Sequence, residues 1–267
     1  LFARNHVVTV HDLFVFEHPE WYSRRYVLTH RAVQWFQMRT ATVLVAVSEP
    51  TAERLRAIVG QRCMIVVAPN APSPSLEQAD HDLTARVMAT HNLSEGRFFL
   101  AVGSADPRKN LSRIAEAHSG SGLAAELPLV VVGSQAGIFR SAPQGIEREV
   151  RRLGYVDDAT LSALYAAAAA VVFVPLAEGF GLPAVEALAG EAQLICSDIA
   201  VLRWVCRDDA TYVDPMDIGA IAAAMREVLA SPRSAAAVAA AATRARARFS
   251  WTSSAAVVLD AIEARQR

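Results

Sequence analysis

Cysteine is scarce. The three thiols, Cys63, Cys196 and Cys206, form no C-x-x-C pair and no repeated spacing. Such a sparse, odd count predicts reduced thiols in a cytoplasmic protein. Long apolar runs are also missing, since none reaches the ~18 residues of a membrane-spanning helix. The nearest, Leu161 to Leu176, is alanine-rich, interrupted by Tyr165 and ended by Pro175. It reads as a buried helix followed by a strand. No cationic stretch leads into an apolar one at the start, so a signal peptide is not expected. Neither sign of charge dominates: 26 basic and 27 acidic residues give a formal net charge of -1. That balance offers no argument for nucleic acid as a partner. An initiator methionine is absent too. A strand-like run, His6 to Val10, follows Leu1 almost at once, and the chain reads as an N-terminally truncated fragment.

What is present is a globular composition, 53% hydrophobic and 20% charged, over 267 residues. That length suits one large or two modest domains. Val7 to Val10 reads as a buried strand. Arg24 to Arg39 has helical periodicity, with Leu28, Val33, Trp35 and Phe36 among its apolar positions. Thr42 to Val47 is a second strand, Ser48 a candidate cap for a helix starting near Pro50, and Met64 to Val67 a third strand. Residues 69 to 82 break this rhythm with Pro69, Pro72 and Pro74 and then polar residues, as a linker does. Alternation then resumes: strand Phe98–Val102, helix Asn110–His118, strand Leu129–Val132, helix Asp158–Ala168, strand Ala170–Val174, helix Pro183–Ala189, strand Gln193–Cys196. Ile218 to Arg248 reads as a helical, alanine-rich stretch, and a final helix follows Phe249-Ser250-Trp251. Strands that are apolar throughout imply parallel sheets covered on both faces.

The segment from Pro175 to Ala187 carries the most chemistry. A buried strand ends, Gly179 and Gly181 follow, and a helix opens with Pro183 in its first turn. Free backbone N–H groups at a helix start attract anions, and glycine lets a phosphate approach closely. Glu178 stands at the mouth of this loop and Glu186 about one turn inside the helix. Carboxylates accept hydrogen bonds from sugar hydroxyls, so the string suits a sugar, a diphosphate and a ribose in line. The bland alternative is an ordinary strand–loop–helix with a solvated Glu178 and a helix-stabilising Glu186.

A second string, Val102 to Asn110, runs from a strand end through Gly103 and Ser104 to Arg108 and Lys109. The C-terminal edge of an open parallel sheet is where ligands bind. A helix start disfavours cations, so two of them call for an anion, and no acidic partner is expected for them locally. Ordinary surface residues are the alternative. His11-Asp12 ends the first strand and could equally be a satisfied core pair or a metal-binding pair. The metal reading lacks a second ligand cluster. Asp80-His81-Asp82 spells D-x-D, but it lies in the linker and reads as a solvated loop. No G-x-G-x-x-G follows a strand with an acidic residue beyond it, which excludes a dinucleotide-dependent oxidoreductase.

The string Glu178 to Glu186 resembles the E-x-F-G-x-x-x-x-E element of glycosyltransferase family 4 (group 1), retaining enzymes with the GT-B fold. Gly103 to Asn110 is similar to that family's G-x-x-x-x-x-K-N motif. Val47-Ser48-Glu49, Val131 to Ser134, Leu153 to Val156 and Phe249-Ser250-Trp251 resemble smaller family features. The resemblance implies an α/β chain with two Rossmann-like domains facing a cleft, the first incomplete. Residues 1–70 would be a remnant of the N-terminal acceptor-side domain and 71–96 a linker and domain entry. Residues 97–248 would be the nucleotide-sugar-binding domain and 249–267 a helix crossing back. His11, Arg108, Lys109 and Glu178 are the implied catalytic residues. Gly103, Ser104, Gly133, Tyr155, Val156, Gly179, Phe180, Gly181, Leu182 and Glu186 would hold the donor.

The implied reaction is same-face transfer of a hexosyl group from GDP-mannose or a UDP-sugar to a glycan or lipid-linked saccharide. No cofactor and no metal are expected, because the two cations stand where a metal would. Neither glutamate is then a nucleophile, unlike the carboxylates about 5 Å apart in retaining glycosidases. The family usually has roughly another hundred residues before the His-Asp strand. A peripheral membrane contact through that missing part is compatible with the resemblance. The alternative function is a nucleotide-sugar-binding module or subunit without catalysis.

Overall fold

The structure is a computed structural model, and it describes residues 6–60, 63–76, 80–104, 106–133 and 150–266. The chain divides into two units by its internal contacts. The first comprises residues 1–71, 178–180 and 249–267, and the second residues 72–177 and 181–248.

The first unit is built on three apolar strands, β1 (Val7–Val10), β2 (Val43–Ala46) and β3 (Met64–Val67), paired parallel in that order. A short helix, α1 (Phe14–Glu17), and the long α2 (Arg24–Thr40) lie between β1 and β2, and α3 (Glu49–Val59) leads into β3. Ser48 caps α3 as its sequence predicts: its Oγ accepts the Thr51 N–H at 3.3 Å, with Pro50 in the first turn. Alternation along the strands sorts the core. Leu44 and Ala46 join Met38, Leu55 and Val59 on one face. Val43 and Val45 join Ala261 on the other. Ala261 comes from the last helix, α11, described below.

α2 forms where its periodicity places it, but Met38 is its buried residue. Leu28, Val33, Trp35 and Phe36 are 75%, 51%, 50% and 40% exposed within this unit. Trp35 instead carries the Arg39 guanidinium 4.5 Å from its ring centroid, a cation–π contact.

The first α-helix of the second unit is α4 (His81–Thr90), which corrects the reading of Asp80-His81-Asp82 as a loop. Asp80 is exposed and caps this helix, accepting the Asp82 N–H at 3.1 Å. The D-x-D string is thus a solvated helix start. The remaining elements are β4 (Phe99–Val102), α5 (Leu111–Gly120), β5 (Leu129–Val132), β6 (Val150–Gly154), α6 (Asp158–Ala167), β7 (Ala170–Phe173), α7 (Leu182–Ala189), β8 (Leu194–Ser197), α8 (Ala200–Cys206), β9 (Thr211–Val213), α9 (Ile218–Ala230) and α10 (Ala235–Arg248). α11 (Trp251–Gln266) returns to the first unit, where Ser254 Oγ donates to Pro69 O at 2.6 Å. The stretch read as continuous helix from Ile218 is broken after Ala230, where Pro232 cannot continue the ladder.

The six strands pair parallel in the order β6-β5-β4-β7-β8-β9. The order therefore reverses between β4 and β7, and that switch point is where an open α/β sheet forms its ligand crevice. Phe99, Leu129, Val172 and Ile195 pack on Ile114, Ile221 and Met225 on one face. Each such side chain contributes about 1.5–3 kcal/mol by leaving water. All three cysteines are free thiols, Cys63 half-buried and the other two buried. Among the described residues no helix is long and apolar enough to cross a membrane.

Candidate functional site

In the second unit the loops after β4, β5 and β6 are laced together by backbone hydrogen bonds. Gly103 N–H donates to Val132 O at 2.9 Å, and Gly133 N–H to Gly154 O at 2.8 Å. Gly133 has φ +141°, and a Cβ there would lie 2.1 Å from Gly103 O, so only glycine permits this approach. Ser104 follows Gly103 and is exposed. Tyr155 and Val156 follow β6, with Tyr155 84% exposed. Ser134, named with Gly133 in the sequence, lies outside the described residues.

Arg108 and Lys109 occupy a 3-10 turn, Pro107–Lys109, just beyond β4. Asn110 follows in the left-handed region, φ 60°, and is 4% exposed. Its Nδ2 donates to Val174 O at 3.0 Å and to Pro215 O at 2.8 Å, while its Oδ1 accepts from Arg113 at 2.9 Å. The turn is also fixed from its other side, where Leu176 N–H donates to Arg108 O at 2.8 Å. Both cations are thus mounted on the exit of β7 as well as on β4. Lys109 lays its stem against Gly103 and holds Nζ 5.4 Å from the Phe173 ring centroid.

The expectation that these cations lack a local acidic partner is wrong. Asp106 Oδ2 accepts Arg108 Nε at 2.8 Å and Nη2 at 2.5 Å, and its Oδ1 caps the turn by accepting Arg108 N–H at 2.9 Å. Burial pushes the Asp106 carboxyl up. The hydrogen bonds from Arg108 and the charges of Arg108 and Lys109 outweigh that, and it stays below the usual carboxylate range.

The start of α7 sits at the same switch point. Gly181 is its N-cap, φ +90°, and no side chain caps the helix. A Cβ on Gly181 would meet Leu202 Cδ2 at 2.6 Å and Phe173 Cε1 at 3.6 Å. One ring, Phe173, therefore separates the Lys109 ammonium from the uncapped helix start that Leu182 opens. Glu186, one turn further on, is 8% exposed. It accepts from Tyr165 Oη at 3.0 Å. Burial raises its pKa, the Tyr165 hydrogen bond lowers it and the charge of Asp158 raises it, for a net upward shift.

In the first unit His11 ends β1, exposed, beside Asp12, whose Oδ1 accepts Phe14 N–H at 3.1 Å. Both line a hollow of about 150 Å³ with Thr9, Gln34 and Gln37. Glu178, Gly179 and Phe180 belong to this unit by their contacts. Gly179 O accepts from Ser48 Oγ at 2.7 Å and Thr51 Oγ1 at 3.1 Å, and its Cα lies tight against His11 O. Phe180 is buried edge-on against Phe249, ring centroids 5.4 Å apart. Among the described residues no three His, Cys, Asp or Glu side chains group as a metal site.

Sequence reasoning missed Asp106, Asn110 as a clamp, and Tyr165. Each left a signal: a carboxylate two residues from an arginine, an asparagine at a helix start, and a tyrosine in the alanine- and leucine-rich second half of a helix.

An O-antigen chain mannosyltransferase B of Escherichia coli is 28% identical over 225 residues, covering 81% of this chain and 59% of that protein. The chain thus spans less than two thirds of that relative's length. An O-antigen chain mannosyltransferase RfbU of Salmonella typhimurium is 32% identical over 125 residues, 45% of this chain and 35% of the relative. Among solved structures, Anabaena Alr3699/HepE in complex with UDP and glucose superposes with a TM-score of 0.80 at 16% identity, covering 96% and 71% of the two chains. A sucrose-phosphate synthase from Thermosynechococcus elongatus gives 0.76 at 23% identity, covering 97% and 67%. These likenesses establish the two-domain GT-B fold. The model of the family described as glycosyl transferases group 1 matches residues 86–245, more than half of the sequence, and the chain belongs to that family.

Proposed function

We propose that the protein transfers a mannosyl group from GDP-mannose to a growing glycan or lipid-linked saccharide with retention of configuration. The observation that carries this reading is the switch point of the second unit. There Lys109 and an uncapped helix start flank Phe173, with Arg108 in the same turn as Lys109 and Glu186 one helical turn away. This is the arrangement that a diphosphate joined to a ribose requires. The mannosyltransferase names of the curated relatives support the sugar. UDP in a solved neighbour supports a nucleoside diphosphate and keeps a UDP-sugar as the competing donor.

Arg108, Lys109 and the amides from Phe180 to Leu182 would stabilise charge on the leaving diphosphate. Gly103, Ser104, Gly133, Tyr155 and Val156 would line the nucleotide, and Glu186 would hold the ribose. His11, Glu178 and Gly179 would contact the transferred sugar. The leaving phosphate would take the acceptor's proton as the hydroxyl attacks the same face, so no carboxylate nucleophile is needed.

Calorimetric titration with GDP-mannose, GDP, UDP-glucose and UDP, each with and without EDTA, tests the binding half. Saturable binding of a guanine nucleotide, unaffected by EDTA, is expected. Donor binding that needs Mn²⁺ or Mg²⁺ and is lost in Asp80→Ala/Asp82→Ala would overturn the metal-free reading. The anomeric configuration of a transferred sugar, read by NMR, tests retention.

A further inference from the structure

Tyr165 is a polar group in a stretch of α6 otherwise made of small and apolar residues over Leu161–Ala167, apart from Ser162. It is fully buried, and its place is made by Gly190 at the end of α7, where a Cβ would come within 3.0 Å of Tyr165 Cβ. The ring of α6 thereby reaches α7, and its hydroxyl meets Glu186 Oε2 at 3.0 Å. Among the described residues this is the carboxylate's one hydrogen bond, and Oε1 is left to accept others.

We propose that Tyr165 is a positioning residue for the nucleotide's ribose: it fixes Glu186 through Oε2 so that Oε1 is presented, ionised, to the ribose hydroxyls. This rests on the reading of Glu186 as the ribose acceptor. A glutamate on a helix has three rotatable side-chain bonds. A hydrogen bond to one oxygen removes most of that freedom before the ligand arrives, which lowers the ordering cost of binding. Tyrosine suits the task because its buried O–H requires an acceptor and can only be satisfied by pointing at one.

The same bond bears on the carboxylate's charge. Burial and the neighbouring charge of Asp158, also on α6, both favour the proton on Glu186, and the Tyr165 hydroxyl opposes them. Without that hydroxyl the carboxyl would take up its proton at higher pH and accept less well from a diol.

The test compares wild type, Tyr165→Phe and Glu186→Gln in the full chain, titrated with GDP and UDP and with their 2′,3′-dideoxy forms between pH 5 and 8. Tyr165→Phe should weaken ribonucleotide binding about 5–30-fold, a part of what one hydrogen bond to a charged group is worth, because the lost bond acts on the ligand only through Glu186. It should leave the dideoxy affinity at the wild-type value, which also shows that the site is folded. Its ribonucleotide affinity should begin to fall at higher pH than in wild type as the solution is acidified. If Glu186→Gln loses ribonucleotide affinity while Tyr165→Phe matches wild type at every pH, the role of Tyr165 is overturned and the ribose reading stands. Equal losses for ribo and dideoxy ligands in Tyr165→Phe would make Tyr165 a packing residue only, which also overturns the proposal. If Glu186→Gln binds like wild type, or if wild type binds neither nucleotide, the ribose reading falls and takes the proposal with it.

Discussion

The guanidinium of Arg108 lies against the carboxylate of Asp106, two hydrogen bonds to one oxygen at 2.8 and 2.5 Å. Arg108 therefore reaches a ligand with part of its charge already countered. Arg108→Ala should weaken GDP or UDP binding by only about 1 kcal/mol, below the ~1.5–3 kcal/mol range for charge-assisted hydrogen bonds. Calorimetry reads the loss. A larger loss at Arg108 would mean that ligand displaces Asp106 from it.

Asn110 offers a stability test of the same turn. Asn110→Ala deprives Val174 O and Pro215 O of their donor and forces a Cβ-bearing residue without a local hydrogen bond into the left-handed region. A loss of ~2–4 kcal/mol in denaturant unfolding is expected. Asn110→Gly removes the same hydrogen bonds but accepts the backbone, and should cost about 1 kcal/mol less. Equal losses would show that the φ of 60° carries no strain.

Glu186 predicts a pH dependence. Its pKa in the folded state is raised, so between the unfolded value and the folded one the native chain binds more protons. Stability from this group then falls as pH rises through that window and is recovered on acidification. Glu186→Gln removes the titrating group and should be more stable than wild type by ~1 kcal/mol at pH 7, at the low end for replacing a buried charge. The advantage should vanish below the unfolded carboxylate pKa. Melting curves of both proteins across pH 4–8 measure it, and parallel curves would mean that Glu186 titrates normally.

Gly133 predicts a localised failure. A methyl group there would strike Gly103 O, a backbone atom that cannot rotate away. Gly133→Ala should cost ~2–4 kcal/mol, as clashes and positive-φ strain together do. The loss should come with nucleotide binding, because the laced loops after β4 and β5 must part. Retained binding in a stable Gly133→Ala protein would show that those loops yield.

Most of the architecture was legible because its central strands carry unbroken apolar runs. Leu129–Val132 and Met64–Val67 are called to the residue. β6 was not, since Val-Arg-Arg-Leu-Gly hides a strand behind two arginines. Arg151 reaches His91 O and Asn92 O, each at 2.8 Å, and so spares the sheet an unsatisfied charge. β9 is three residues long, too short for periodicity to register. α2 shows the limit of pattern counting: the apolar residues that reveal a helix are not those it buries. At the candidate site of the second unit, Glu186, Arg108 and Lys109 stand out by residue type and spacing. Their partners do not, because Tyr165 and Pro215 meet Glu186 and Asn110 across 21 and 105 positions of sequence, a distance only the fold closes.

The pairing of β5 with β6 slips by one residue: Val131 faces Arg152, but Val132 faces Gly154, and Leu153 is the extra residue. Strand side chains alternate, so an uncompensated extra residue reverses the parity of everything after it. Gly154 therefore takes the face that Leu153 would hold in an unbroken ladder, and at φ 72° it turns the chain out of the sheet before Tyr155. Deleting Leu153 would change no chemical group at the site, yet it would move by one residue the point at which the chain leaves the sheet ahead of Tyr155. In this loop the length of the chain is itself an inherited instruction, and a family member one residue shorter here would present a different surface to whatever Tyr155 meets.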